Sequence, residues 1–178
     1  MTQSWPPRQL PSLERQLRAL SDSVRQRPPS RDDDEQLWLT RFLLIRAVGY
    51  LEQVVHESFR GHIEHSSYGT VKSFSISWFE RSVNPSVDNL CTLLGRLDGA
   101  MRSEFEGFID EDDGSKRREL MLAVSRRHQI AHGLNEGMGT ERTLQLVDLL
   151  IEIGDWFIRT LNPLAAGRPS HQLRGRTP

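Results

Sequence analysis

The chain has 178 residues, 26% of them charged and 37% hydrophobic, which suits one globular domain with a core of its own. A net charge of −1 argues against a protein that coats nucleic acid by bulk attraction, although a local arginine cluster can still steer phosphates. No run approaches the roughly 20 apolar residues of a membrane span, and Met1 to Leu13 holds three prolines and no apolar stretch flanked by basic residues, so a cytoplasmic protein without a secretory signal or membrane contact is expected.

Gln9 to Gln26 places Leu10, Leu13, Leu17, Leu20 and Val24 at helical spacing. Pro28, Pro29 and Ser30 must break that helix, and residues 1–31 read as a weakly attached arm with a proline-rich linker. Asp32 to Asp34 then supply acids suited to a helix N-terminus. From Glu35 to about His65 runs the longest helical pattern, with an inner stripe of Leu37 or Trp38, Phe42, Ile45, Val48, Val55 and Phe59. Gly61 and Gly69 bracket a break. The following stretch, Val71 to Arg81, fits a short helix or an extended segment, with helix preferred.

Asn84-Pro85 is a start signal, a capping side chain followed by proline at the first helical position. The helix it opens runs through Val87, Leu90, Leu93 and Leu94 to about Gly99. Cys91, the only cysteine, lies within that apolar set and reads as a buried structural thiol. Met101 to Ile109 adds Phe105 and Phe108 on a short helix, and Asp110 to Gly114 reads as a loop. Ser115 caps a helix reaching about Ala131, with Gly133 as its terminator. After the connection from Leu134 to Gly139, Thr140 caps a last helix through Leu144, Val147, Leu150, Gly154, Phe157 and Leu161, stopped by Pro163. Strand signals are scarce and no repeats occur, so the expected fold is an all-α antiparallel helical bundle over residues 32–162, followed by a disordered tail over 163–178.

The segment that carries chemistry is Ser125-Arg126-Arg127-His128-Gln129-Ile130-Ala131-His132-Gly133. It resembles the signature of the HEPN superfamily, an arginine and a histidine separated by four to six residues, in the form ending Ala-His-Gly. Arg127 and His132 fill the pattern, with His128 at the polar position after the arginine. The long early helix containing Glu52, the Asn84-Pro85 start and the helix delivering the motif resemble the layout of RiboL-PSP-type bacterial HEPN proteins, and the resemblance covers about Leu37 to Leu161. It implies a homodimeric, metal-independent ribonuclease that needs no cofactor and takes RNA as its partner. A toxin or antiphage role with a cognate antitoxin or defence partner protein also follows from it. Other members of the superfamily have lost activity, so the rival expectation is a non-catalytic module that dimerises or binds a partner or nucleotide.

The residue chemistry agrees with the nuclease reading. Histidine exchanges protons near neutral pH, and arginine offers a permanent, planar charge to phosphate oxygens. Arg127 and His132 would be catalytic with His128 assisting, and Arg126 would bind the RNA backbone. His128 and His132 share one helix face, whereas Arg127 and His132 sit roughly 140° apart on an unbroken helix. They converge only if the helix ends at His132 or if a second protomer supplies the partner. As an ordinary helix end, the same segment would place basic residues where the dipole favours them. Glu52 lies on an inner face and needs a partner, so an orienting contact with Arg46 or Arg127 is expected. His62 and His65 are three apart, but no further Cys, His or Asp motif with ligand spacing accompanies them or His56, so no metal site is expected.

Overall fold

The computed structural model describes residues 5–77, 84–133 and 138–165. Among them run seven helices: α1 (Gln9–Arg25), α2 (Asp33–Ser66), α3 (Gly69–Ser77), α4 (Val87–Leu97), α5 (Gly99–Ile109), α6 (Glu111–Ala131) and α7 (Thr140–Thr160). The all-α bundle is therefore the architecture, with no strand among the described residues.

The largest interface joins α2 to α7. Near their starts the Thr40 and Thr140 hydroxyls lie 3.2 Å apart, and near their ends His62 Nδ1 meets the Leu161 carbonyl oxygen at 3.2 Å. The two helices thus run in the same direction, which the four helices between them in sequence permit. Midway, Gly154 lets α7 approach α2: a β-carbon there would sit 3.3 Å from the Tyr50 ring. Sequence neighbours run antiparallel, as in α6 against α7, where Glu119 meets Arg142 and Lys116 meets Glu152.

Leu43, Leu44, Ala47, Val48, Leu51, Val54, Val55 and Phe59 form the buried face of α2. This corrects the expected stripe, because Phe42 and Trp38 are 50% and 65% exposed. The segment from Leu37 to Ile45 is apolar on nearly every side, so periodicity alone could not choose the face; packing against α7 chose it. The Asp32 side chain caps α2 by accepting the Glu35 N–H at 2.7 Å, as the acidic run suggested.

The first helix is no loose arm. Leu10, Leu17 and Val24 are buried at seven-residue intervals against α2 and α7, each burial contributing roughly 1.5–3 kcal/mol. Gln36 Nε2 donates to the Val24 carbonyl at 3.0 Å, and Trp5 Nε1 donates to the Ile158 carbonyl at 2.9 Å. Both ends of α1 are therefore tied to the bundle.

At α4 the helix starts two residues after the expected point. Ser86 occupies the cap position without a side-chain cap bond, and the Asn84 carbonyl accepts from Asn89 Nδ2 at 2.7 Å. Cys91 is buried there, and burial pushes its thiol up. Asp98 caps α5 through the Ala100 N–H at 2.8 Å. Phe105 then enters an aromatic cluster, 5.0 Å from Trp156 and 5.4 Å from Phe157 between ring centroids.

Asp112, Asp113 and Gly114 adopt left-handed conformations inside α6, with φ of 52°, 57° and 72°. Asp tolerates that region better than most residues, and Gly without cost, so the expected loop survives as a kink and helical geometry resumes at Ser115. At α7 the cap is Gly139, and the Thr140 hydroxyl is used across the bundle rather than on its own helix. The stretch from Val71 is helical through Ser77. Residues 78–83, the connection over 134–137 and the tail over 166–178 lie outside the described residues.

Candidate functional site

The site is built by the last turns of α6 crossing the middle of α2. The first helical turn of α6 is fastened from several sides. Arg117 grips Asp110 with two bonds of 2.6 and 2.9 Å, and Lys116 bridges Glu111 at 2.6 Å and Glu152 at 3.0 Å. Arg142 reaches Glu119 at 2.5 Å. Further along, Leu120 and Ala123 are buried, which fixes the rotation of the helix about its axis.

That rotation brings Arg127 to Glu52, Nη2 to Oε1 at 3.3 Å. Of the two partners the sequence left open for Glu52, the structure brings together Arg127. Arg46 makes no such pair among the described residues; it lines a separate cleft on the far side of Glu52. The Glu52 side chain is 16% exposed and that of Arg127 37% exposed. Burial raises the Glu52 carboxyl above its ordinary value, and the Arg127 charge pulls it back only in part. Arg127 therefore has one side held by a carboxylate and another open to solvent.

His132 is the residue at which α6 stops. Its N–H still bonds the His128 carbonyl at 3.1 Å, while its own backbone leaves the helix with ψ of 9°. Gly133 follows at φ 75°, and its N–H returns to the Ile130 carbonyl at 3.0 Å, the left-handed termination that glycine allows. The helix thus ends at His132, but His132 is not among the residues that line a cavity with Arg127. One turn apart, the His128 and His132 rings meet edge to face with centroids 4.3 Å apart, and both residues are exposed.

Glu52, Asn84, Val124, Ser125, Arg127 and His128 line an open groove of about 380 Å³. His132 reaches it through its contact with His128. Arg126 lies outside the lining, donating from Nη1 to Gln129 Oε1 at 3.1 Å. Asn84 and Ser125 belong to the groove without having been singled out. Asn84 carried only a capping signal in the sequence, and nothing in the spacing of Ser125 distinguishes it from a surface serine.

His56 and His62 are engaged away from this groove. His56 Nδ1 lies 3.2 Å from Glu57 Oε1, and His62 faces the Leu161 carbonyl. No group of three or more metal-ligating side chains occurs among the described residues. Within the same residues no helix is long and apolar enough to cross a membrane.

A cation braced by a carboxylate, near two imidazoles in edge-to-face contact at an exposed helix end, can bind an anion and exchange protons with it. The family model RiboL-PSP-HEPN matches residues 8–162, which takes in α1 and the whole of this groove. No curated protein and no solved structure gives a significant match. The chain belongs to the RiboL-PSP-HEPN family, within a superfamily whose domains commonly serve as ribonucleases or nucleotide-binding modules.

Proposed function

We propose that the protein is a metal-independent endoribonuclease whose site is shared across a symmetric homodimer, acting as a toxin or phage-defence effector. The observation that carries this reading is the groove lined by Arg127, braced by Glu52, and by His128, whose ring meets that of His132 edge to face. Arg127 holds the scissile phosphate and offsets its developing charge. One imidazole takes the proton of the ribose 2′-hydroxyl as that oxygen attacks phosphorus. The bond from phosphorus to the 5′-oxygen breaks, and a second imidazole protonates the leaving oxygen. The products are a 2′,3′-cyclic phosphate and a 5′-hydroxyl. His132 is the principal proton-transfer group and His128 assists, the second copy of each coming from the partner protomer about the twofold axis. Arg126 contributes backbone contacts at the rim.

Purified protein incubated with total RNA in EDTA, with the new 5′ ends mapped, tests the reading. Cuts leaving cyclic phosphates are the expected result. Arg127→Ala and His132→Ala are expected to keep the helical circular dichroism and melting curve while losing cleavage. Cleavage that persists in both variants removes the proposal. Growth arrest on overexpression, relieved by His132→Ala, adds support for a toxin with a cognate antitoxin or defence partner.

One observation favours a second reading. Arg127 is paired with an acid of its own chain, as would suit a non-catalytic module that dimerises or binds a partner or nucleotide. In that case the protein dimerises normally and leaves RNA intact.

A further inference from the structure

Glu52 is a wall of two cavities. One is the groove that holds Arg127; the other, about 210 Å³, opens between α1 and α2. The second is below the roughly 300–1,000 Å³ of pockets that take drug-sized ligands, a size for a single ring system. Leu13 and Leu17 of α1 form one side, and Arg46, Gly49, Tyr50 and Gln53 of α2 form the other.

The α2 side is a single helix face with Gly49 within it. Arg46, Gly49, Tyr50 and Gln53 follow the i, i+3, i+4, i+7 spacing of one helix face. Gly49 is interior to a 34-residue helix, where glycine costs backbone entropy. A β-carbon built on it meets nothing within 4 Å. Packing against this chain therefore does not require glycine at 49, whereas a planar ring laid against the backbone would. Two polar groups flank that face. Arg46 makes no ion pair or hydrogen bond with the described residues. Glu52 meets Arg127 through Oε1 and also borders this cleft.

We propose that this cleft is a base-binding pocket, and that it takes a guanine of the RNA strand whose phosphate lies on Arg127. Guanine carries two acceptors, O6 and N7, on one part of its edge and two donors, N1–H and N2–H, on the next. A guanidinium matches the first pair and a carboxylate the second. Leu13, Leu17 and the Tyr50 ring supply apolar walls for the base, and Gln53 adds an adaptable amide. Because Glu52 borders both cavities, the carboxylate that accepts from the base also braces the Arg127 that holds the neighbouring phosphate. The pocket rests on the nuclease reading for its role as a cleavage-site selector, but base binding can be measured without cleavage.

The test is calorimetric titration of the full chain with the 3′-monophosphates of guanosine, adenosine, cytidine and uridine, repeated on Gly49→Leu and Arg46→Met. The guanosine nucleotide is expected to bind at least about tenfold more tightly than the uridine nucleotide, a difference of about 1.4 kcal/mol. Both variants are expected to erase that preference while retaining weak phosphate binding. Gly49→Leu fills the open space at Gly49, and Arg46→Met provides a second route should the first variant fail to fold. Equal binding of the four nucleotides, no binding at all, or a preference that survives both substitutions overturns the pocket. Sequencing of RNA cut by the wild-type chain separates the two ideas. Cuts without base preference sink the pocket and leave the nuclease standing, and guanine preference in titration without any cutting does the reverse.

Discussion

Glu52 is held in tension. Its carboxyl is raised by burial and lowered in part by Arg127, so its ionised form is less at home in the folded protein than in the unfolded chain. That contribution favours folding below the ordinary carboxylate range and is lost as pH rises through the raised value. Glu52→Gln keeps the shape and removes the charge. The expected outcome at neutral pH is a melting temperature equal to or above that of the wild type. Cleavage should fall roughly tenfold to a hundredfold as Arg127 loses its brace. Thermal melts paired with RNA cleavage rates check both halves. Asp155 offers a control away from the groove. Burial raises it first and Glu14 second, against smaller pulls from Arg159 and Arg18. Asp155→Asn is therefore expected to stabilise the protein at pH 7, with the advantage shrinking as pH falls towards 4 and the wild-type carboxyl takes up its proton. Melts across that range read the effect.

The ends and faces of the helices decide how well the site is formed. Gly133 ends α6 in the left-handed region, so Gly133→Ala should cost about 1 kcal/mol and displace His132. Its signature is a cleavage defect larger than its stability loss, read from rates and denaturant unfolding. Phe105→Ala, by contrast, empties a fully buried position in the aromatic cluster. It should cost about 3–5 kcal/mol without a specific effect on the groove. The helices themselves were legible: spacing located most of them, and Gly133 marked the end of α6. Failures arose where tertiary contact outranks local pattern. On α2, Phe42 and Leu43 are both large and apolar, and only the approach of α7 tells which one faces inward. Leu10, Leu17 and Val24 announced a helix but not what would cover it, because α7, one of the two helices it docks on, lies more than a hundred residues downstream. Of the groove's lining, Arg127 and His128 had been singled out from the motif and Glu52 from its inner position, whereas His132 lies outside that lining. The choice between Arg46 and Arg127 was not readable, since it depends on where α6 crosses α2.

On the scale of the assembled molecule, the proposed chemistry asks for two protomers. Arg127→Ala and His132→Ala, each inactive alone, are expected to recover part of the cleavage when unfolded and refolded together. About half of the resulting dimers are mixed by simple statistics, and each mixed dimer retains one intact arginine and one intact histidine across the axis. Cleavage assays alongside light scattering, which reports the dimer, check this; a mixture that dimerises and stays inactive argues that each groove works by itself.

The bond from Trp5 to Ile158 spans 153 positions of sequence, and α1, whose larger interface is with α2, also leans on α7. A ribosome adding about 5–20 residues per second needs on the order of 10–30 seconds to travel that distance. For that interval the oily side of the first helix can lie on α2 but lacks its second support, and the bundle cannot close until α7 has emerged. A bundle assembled in this order is not fully closed in any chain that stops short of α7.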